Sequence, residues 1–354
     1  MSKSFLKKAL LGGAVAAGAA VWAIAPRSFS DKRRNYVPAV PDVWYAHRGL
    51  HDAGSGLTAQ YANESGEYVA LARRMAMKAG YGSPDTPGVI APENSLAAFA
   101  AACEAGYGIE LDLQMTRDGE VVVVHDGDLM RVAGDPRRIA DLTYDELTRI
   151  PLFPTDAPGA CKAAPLPLAL EEPPLVTTPD NAPEGYYQHV PLFADVLKVV
   201  AGRVPLIVEY KFDDNSKWDP RDVELMEKGD ALLQAYSGKY VIESFNPAAV
   251  NWYKENRPEV CRGQLSWWPY GEDKPIDPVA LGKEYAAGAL VFDWISRPDF
   301  VAYDWKGGNS PQVKLTRFMG AVPVSWTVRS RDEYAQCCDQ FDRHIFEAFV
   351  PDEQ

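Results

Sequence analysis

The chain has 354 residues, of which 47% are hydrophobic and 24% are charged, a balance that is ordinary for a globular protein and argues against disordered, collagen-like and multi-span membrane proteins. It carries 36 basic and 49 acidic residues, a net charge of −13, and seven of the basic side chains lie within the first 34 residues. The rest of the chain, after residue 34, is therefore strongly acidic. Since nucleic acid requires a basic stripe on its partner, we expect no nucleic-acid ligand.

The amino terminus contains an uncharged run from Ala9 to Ala25, flanked by basic residues on both sides. As a helix these residues would reach roughly 26 Å, slightly less than a hydrocarbon core of about 30 Å. Residues 23–25 resemble a signal-peptide cleavage site, but the following Pro26 disfavours cleavage. We therefore predict an uncleaved membrane anchor within 1–34, with a signal peptide or a buried soluble helix as alternatives. The flanking charges leave the side of the membrane undecided.

From residue 35 onward, apolar runs typical of buried strands alternate with helical patterns. Eight strands are predicted, and they end at His47, Asp112, Lys211, Phe245, Ser266, Asp293, Val328 and Phe349. Seven helices are predicted between them, over 94–105, 192–200, 220–236, 247–256, 278–287, 311–319 and 331–341. This alternation predicts an α/β fold, a (β/α)8 TIM barrel rather than an open sheet, preceded by the one N-terminal hydrophobic helix.

Two segments interrupt the alternation, namely 52–90 and the proline-rich 153–189. Without them, 35–354 comes close to the roughly 250 residues of a plain barrel. We therefore predict one barrel domain with two insertions rather than two domains. Because 52–90 begins just after the strand that ends in His47, we expect it to cap the mouth of the barrel; a peripheral decoration is the alternative.

The strongest local signal is Glu110-Leu-Asp112, which is followed by Asp118-Gly119 and His125. If Asp118-Gly119 forms a two-residue hairpin turn, Asp112 faces His125 directly, and strand alternation puts Glu110 on the same face. Two carboxylates so arranged can hold one hard divalent cation, Mg²⁺ or Ca²⁺, through oxygen ligands. A charged rim without a metal is the alternative.

Further charged residues end two other predicted strands. Glu209 and Lys211 follow an apolar run and emerge on the same side. Buried charges need a partner or a metal, so Glu209 is a candidate metal ligand and Lys211 a candidate phosphate contact; a mutual ion pair is the alternative. The first strand ends in His47-Arg48-Gly49, where histidine can move protons, arginine can bind phosphate oxygens, and glycine permits close backbone approach.

Motifs occur in this order along the chain: His47-Arg48-Gly49, Pro92-Glu93-Asn94-Ser95, Glu110-x-Asp112, Thr116-x-Asp118-Gly119, His125-Asp126, Glu209-x-Lys211, Ser244-Phe245 and Trp326-Thr327-Val328. The series resembles that of the glycerophosphodiester phosphodiesterase family, which are phospholipase C-like TIM barrels. The resemblance covers about 40–350, without the insertions. It implies a hydrolase that splits glycerophosphodiesters into glycerol phosphate and an alcohol with the help of a divalent cation.

The resemblance also implies a role for each matching residue. His47 and His125 match the acid–base pair, and the metal ligands match Glu110, Asp112 and Glu209. The positions that contact phosphate or order the site match Arg48, Asn94 and Lys211, and an aromatic lining position matches Trp326.

The chain departs from the family pattern in its two insertions and in its ending, Ile345-Phe-Glu-Ala-Phe349, where the family more often has Asp and Pro. These departures concern the substrate range more than the chemistry. Within the same chemistry, a phospholipase C- or D-like hydrolase of intact lipid is an alternative, because an anchor would keep the barrel near a bilayer. A catalytically inactive, anchored ligand-binding barrel is disfavoured, because such a barrel needs neither both histidines nor all three carboxylates.

Overall fold

The fold is known from a computed structural model, which describes residues 17–30, 40–154, 188–215, 217–269 and 277–352. Its strands, in chain order, are β1 (Trp44–His47), β2 (Gly108–Met115), β3 (Val121–Val123), β4 (Asp128–Leu129), β5 (Asp135–Arg138), β6 (Leu206–Tyr210), β7 (Tyr240–Ser244), β8 (Arg262–Ser266), β9 (Phe300–Asp304), β10 (Val322–Val328) and β11 (Arg343–Phe346). Eight of them form a parallel sheet in the order β1-β11-β10-β9-β8-β7-β6-β2, which closes because β1 also pairs with β2. The TIM-barrel prediction is confirmed.

Residues 17–23 are helical, and the α-helices that follow, in chain order, are α1 (Arg27–Ser30), α2 (Ala62–Lys78), α3 (Leu96–Ala105), α4 (Met130–Ala133), α5 (Tyr144–Leu147), α6 (Phe193–Val200), α7 (Pro220–Ala235), α8 (Pro247–Asn256), α9 (Pro278–Gly288), α10 (Asp293–Ser296), α11 (Pro311–Phe318) and α12 (Arg331–Cys337). The proline-led starts of α7, α8 and α9 are each capped by the preceding Asp or Asn side chain. Such a side chain satisfies backbone N–H groups that have no partner within the helix.

Alternation along the barrel strands separates two apolar layers. On β6, Ile207 belongs to a cluster inside the barrel, whereas Leu206 and Val208 belong to the larger cluster between strands and helices. Period two then puts Glu209 on the inner side, above Ile207. The same rule puts Glu110 and Asp112 together on the inner side of β2. Charged groups therefore collect at the carboxyl-terminal end of the barrel, where barrel enzymes hold their sites.

The predicted strand ending at Asp293 is wrong. Residues up to Gly288 complete α9, Asp293 begins α10, and the sixth barrel strand is β9, at Phe300–Asp304. A short apolar run does not by itself distinguish a buried strand from a helix end. Here Leu290 is fully buried with a positive φ of 60°, so the run turns instead of extending.

The predicted hairpin register is also wrong, by one residue. Leu113 pairs with Val123 and Met115 with Val121, so Asp112 lies opposite Val124, whose N–H donates to the Asp112 carbonyl at 3.0 Å. The loop has three residues and ends in Gly119 with φ 84°, a conformation that favours glycine. His125 therefore follows the end of β3 instead of pairing across from Asp112.

The predicted membrane anchor is not supported. Among the described residues, no helix is both long and apolar enough to cross a membrane. Residues 1–16, with half of the apolar run, lie outside the described part. The described part is helical at 17–23 and packs on the barrel: Trp22 stacks on Trp294 with ring centroids 5.8 Å apart, and Ile24 is buried. Part of the apolar pattern is thus explained by packing against this protein.

The first insertion, 52–90, lies largely beside the barrel. Its helix α2 buries Tyr68, Ala72 and Ala76 and packs against α3 in the outer layer. The prediction of a cap gains no support, because no residue of 52–90 lines the pocket described below. The second predicted insertion, 153–189, falls mostly outside the described residues, which omit 155–187.

Candidate active site

Three of the predicted site residues form a compact acidic cluster. Glu110 and Asp112 on β2 and Glu209 on β6 each offer a carboxylate oxygen, and these oxygens all lie within 4.8 Å of one another. The pairing of β2 with β6 sets Asp112 beside Glu209. All three side chains are buried. The structure therefore brings the predicted metal ligands together at the carboxyl-terminal end of the barrel.

The cluster is electrostatically strained without a cation. Burial and the neighbouring Asp112 and Glu209 raise the pKa of Glu110 well above its usual value. Burial raises the pKa of Glu209 to about 7, and Asp112 adds to that rise, whereas Lys211 opposes it. Burial alone would raise the pKa of Asp112 too, but Lys211, His125 and Arg48 hold it below its usual range.

The donor set fits a hard divalent cation. It consists of carboxylate oxygens alone, the ligands that Mg²⁺ and Ca²⁺ take. One of them, Asp112 Oδ1, is buried and has no hydrogen-bond partner within the described chain, and Lys211 Nζ lies 3.4 Å from it. A fourth carboxylate, Glu243, neighbours Glu209 on β7, and burial and Glu209 raise its pKa well above the usual value.

Positive and amide groups surround the acidic cluster. Lys211 Nζ lies 2.9 Å from Glu209 and 3.4 Å from Asp112, so the ion pair considered as an alternative for Glu209 exists within the cluster. Arg48 Nε lies 3.5 Å from Asp112, and the Asn94 amide donates to Asp112 Oδ2 at 2.8 Å. Arg48 and Asn94 each have φ 55°, and Asn94 N–H donates to the Arg48 carbonyl at 2.9 Å. Two unusual backbone conformations thus support each other beside the cluster.

His47 is held by a carboxylate from the other end of the chain. Its Nδ1 lies 2.7 Å from Glu347 Oε2, while its Nε2 lies 3.8 Å from Glu110. An ionised carboxylate only accepts hydrogen bonds, so Nδ1 carries the hydrogen and Nε2 presents its lone pair. Burial lowers the pKa of His47 to about 4, an effect that the nearby Glu347 opposes and Arg48 reinforces.

His125 has a related but more open arrangement. Its Nδ1 lies 2.7 Å from Asp126 Oδ1, which leaves Nε2 for other partners. Its side chain is 31% exposed. Burial lowers its pKa, and Arg48 and Lys211 add to that effect, while Asp112 and Asp126 oppose it.

One pocket contains both histidines, the carboxylates Glu110 and Glu209, and the predicted aromatic Trp326. The lining residues are His47, Arg48, Glu110, His125, Glu209, Lys211, Glu243, Phe245, Leu265, Trp326, Thr327, Arg329 and Ile345. Phe245 packs against Trp326 with ring centroids 5.5 Å apart, and Lys211 Nζ lies 5.7 Å from the Phe245 ring. The Trp326 indole N–H is buried and finds no acceptor among the described residues. Of the predicted site residues, Asp112 and Asn94 do not line this pocket and lie behind its surface.

Sequence reasoning missed the residues that orient the predicted ones. Glu93 holds Arg48 (Oε1 to NH1, 2.8 Å) and also binds Arg131. Burial alone would raise the pKa of Glu93, but the two arginines lower it to about 2. In the sequence, Glu347 stands out only as part of a departure from the family ending. One signal of its role is available: it is an acidic residue that directly follows an apolar run near the end of a strand, as Glu209 also is.

Comparison with known families connects this geometry to a known group. A model of the glycerophosphoryl diester phosphodiesterase family matches residues 83–341, well over half of the chain. The chain belongs to this family. As a glycerophosphoryl diester phosphodiesterase family member it shares short stretches with curated relatives: a glycerophosphodiester phosphodiesterase of Caldanaerobacter subterraneus is 43% identical over 60 residues, 17% of this chain and 25% of the relative. Glycerophosphodiester phosphodiesterase 1 of Bos taurus is 41% identical over 61 residues, 17% and 18% of the respective chains.

These alignments thus span about a quarter or less of those relatives. Solved structures share the barrel over a longer range. A putative glycerophosphoryl diester phosphodiesterase from Silicibacter pomeroyi is 20% identical with a TM-score of 0.55, over 88% of this chain and 92% of that one. A phosphodiesterase from Oleispira antarctica, solved with the product sn-glycerol-3-phosphate, is 17% identical with a TM-score of 0.50, over 72% and 87%. At such identities the likeness concerns the fold.

Proposed function

We propose that this family member is a phosphoric diester hydrolase that converts small glycerophosphodiesters to glycerol phosphate and an alcohol, with one divalent cation, Mg²⁺ or Ca²⁺. The observation that carries the proposal is the convergence of three buried carboxylates within 4.8 Å of one another beside a pocket that is lined by two of them and by two histidines. Family membership supports the same reaction. The product bound in the Oleispira antarctica relative is of the expected chemical class.

In this proposal Glu110, Asp112 and Glu209 hold the cation, which when bound neutralises negative charge on the phosphodiester. Arg48 and Lys211 add positive charge to the site and contact the other phosphate oxygens. Positive groups fixed in a buried site stabilise the charge that develops on those oxygens better than water does, because they need no reorganisation. Glu93 and Asp112 keep Arg48 in place for this role.

His47 is the proposed general base. The hydrogen on its Nδ1 is directed to Glu347, so the free lone pair of Nε2 faces the pocket. With its pKa lowered to about 4, His47 is neutral at pH 7 and ready to accept a proton from the attacking group. That group is water or the glycerol hydroxyl of the substrate, since both would approach the same nitrogen.

His125 is the proposed general acid. Its partial exposure lets it take a proton from solvent, and its hydrogen bond to Asp126 favours the charged form. Burial lowers the pKa of His125 in the free site, and the negative charge of a bound phosphodiester raises it again. Protonation of the departing alkoxide contributes typically about 10²–10⁴-fold.

Asn94 and Trp326 are assigned supporting roles. Asn94 orients Asp112 through its 2.8 Å hydrogen bond. Trp326 offers its indole N–H to a substrate oxygen and its ring to the carbon skeleton, packed against Phe245.

The decisive experiment measures the release of glycerol 3-phosphate from glycerophosphocholine by the purified chain. Ca²⁺ and Mg²⁺ are each added to chelator-treated protein, and lysophosphatidylcholine is assayed in parallel to detect a lipid-directed enzyme. We expect turnover of glycerophosphocholine that EDTA abolishes and one of the two cations restores. Turnover that persists in EDTA, or its absence with both cations, would contradict the proposal.

A further inference from the structure

The first residues of the insertion 52–90 reach behind the active site. Asp52 N–H donates to the Ala91 carbonyl at 2.8 Å, and Ala53 forms a parallel bridge with Pro92. These contacts hold the two ends of the insertion together. Directly after Ala53, residues 54–56 form a turn that lies against Glu93 and Glu347.

Ser55 in this turn contacts both carboxylates. Its hydroxyl donates to Glu347 Oε2 at 2.8 Å, the same oxygen that His47 Nδ1 approaches at 2.7 Å. Its backbone N–H donates to Glu93 Oε2 at 2.5 Å, and the other oxygen of Glu93 holds Arg48 at 2.8 Å. One residue therefore connects the carboxylate that orients the proposed base with the carboxylate that orients the proposed phosphate-binding arginine.

The turn is shaped to receive Glu347. Gly56 has φ 76°, and a Cβ at this position would lie 2.7 Å from both Cδ and Oε1 of Glu347. Only glycine leaves room for that carboxylate while adopting this backbone conformation. Arg329 fixes the second oxygen, with its Nε 2.5 Å from Oε1. Glu347 is fully buried and has its oxygens divided among a catalytic histidine, a barrel arginine and the insertion.

We propose that Ser55 is a positioning residue for catalysis, so that the insertion acts on the reaction from behind His47 and Arg48 instead of covering the substrate. This inference rests on the proposed function. The physical reason is that, without Ser55, Glu347 Oε2 would be left with His47 Nδ1 at 2.7 Å and the more distant His51 Nε2 at 3.6 Å. The hydroxyl of Ser55 limits the orientations of the carboxylate and thereby those of the imidazole ring. Hydrogen bonds to charged groups are the stronger ones, so this contact is well suited to that task.

The test compares Ser55→Ala, Ser55→Thr and the matched control Ser83→Ala. Ser83 lies in the same insertion, is exposed, and bonds through its hydroxyl to Thr86. We expect Ser55→Ala to lower kcat by about tenfold with KM nearly unchanged, since small misplacements of catalytic groups are costly. Ser55→Thr, which keeps the hydroxyl, should recover most of that loss, and Ser83→Ala should behave as the unaltered chain.

A second readout does not depend on turnover. In ¹⁵N-histidine-labelled protein, the ring nitrogen shifts of His47 report its tautomer and the strength of its hydrogen bond to Glu347. Ser55→Ala should shift these signals, whereas Ser83→Ala should not. Should Ser55→Ala fold poorly, Ser55→Cys, of similar size but with a weak S–H donor, takes its place.

The outcomes separate the two proposals. Absence of phosphodiesterase activity in the unaltered chain would remove the proposed function, yet the histidine signals would still test the link from Ser55 to His47. Unchanged signals and a kcat within twofold of the unaltered chain in Ser55→Ala would overturn the inference. So would equal losses in Ser55→Ala and Ser55→Thr, because the hydroxyl would then not be the cause.

Discussion

Replacement of Glu209 by Gln should weaken cation binding strongly while preserving the shape of the site. The substitution removes one of three carboxyl groups whose oxygens lie within 4.8 Å of one another, and with it one negative charge of the cation-bound site. A unit charge about 4 Å from another contributes roughly 4 kcal/mol at an effective dielectric constant of about 20, or about 10³-fold in Kd. Gln keeps a neutral oxygen that can still bind the ion, so we expect a loss of about 10²–10³-fold.

The same cluster predicts that cation binding is coupled to proton release. The pKa of Glu209 is raised to about 7 and that of Glu110 is raised well above its usual value, so at pH 7 the free site holds protons that the cation must displace. Raised pKa values mean that the affinity falls as the pH is lowered. We expect cation binding at pH 7 to release protons, because the pKa of Glu209 lies near 7 and that of Glu110 is raised well above its usual value.

Titration calorimetry of chelator-treated protein with Ca²⁺ and Mg²⁺, in two buffers of different ionisation enthalpy, measures both quantities. Glu224→Gln is the matched control, because Glu224 pairs with Lys228 on the exposed face of α7, away from the site. If Glu209→Gln bound the preferred cation within threefold of the control, the assignment of this cluster as a cation site would fail. A heat of binding that is independent of the buffer would refute the predicted proton release.

Three further predictions concern other parts of the molecule. His47→Ala and His125→Ala should each lower kcat by about 10²-fold or more in steady-state assays. The fold-loss in kcat of the double variant should be smaller than the product of the two single losses, since the two histidines act as a unit. Near-normal turnover of either single variant would remove that histidine from the mechanism. Trp326→Phe removes the indole N–H together with the five-membered ring and should lower kcat/KM by at least about three- to tenfold, the value of a neutral hydrogen bond. Unchanged kcat/KM would mean that the N–H does not meet the substrate. The guanidinium of Arg27 lies 3.4 Å from the buried carboxylate of Asp299, and Arg27→Met removes this ion pair. In denaturant titrations the free energy of unfolding should fall by about 3 kcal/mol, while kcat stays unchanged. A loss below about 1 kcal/mol would show that the pair is not important for stability.

Much of the site could be predicted because its residues lie at the ends of strands with a clear apolar pattern. Glu110, Asp112 and Glu209 each interrupt such a pattern, and the geometry of a parallel barrel then brings strand ends together. The same local reasoning placed β9 too early, because it relied on an apolar run that the chain uses to end α9 and turn. It also misplaced His125 by one position, since a two-residue and a three-residue hairpin loop both fit Asp118-Gly119.

The orienting residues could not be predicted in this way. The role of Glu347 depends on contacts with His47 and Ser55, which lie far from it in the sequence, and with Arg329. Pattern along a strand gives the face of a residue but not the side chain that it contacts on a neighbouring strand. The apolar amino terminus poses a related problem, because Trp22 and Ile24 fit a membrane helix and protein packing equally well until the surface they contact is known.

The hydrogen bond between His47 and Glu347 joins residues that are 300 positions apart. During synthesis the amino-terminal strands emerge first, so β1 can pair with β2 long before β11 exists. Until β11 arrives, one edge of β1 stays open and exposed to pairing with other chains, and His47 lacks its carboxylate. Competence for turnover is therefore acquired only when the last strand joins the first. The gain of activity during refolding would accordingly report barrel closure, a later event than the recovery of helical circular dichroism.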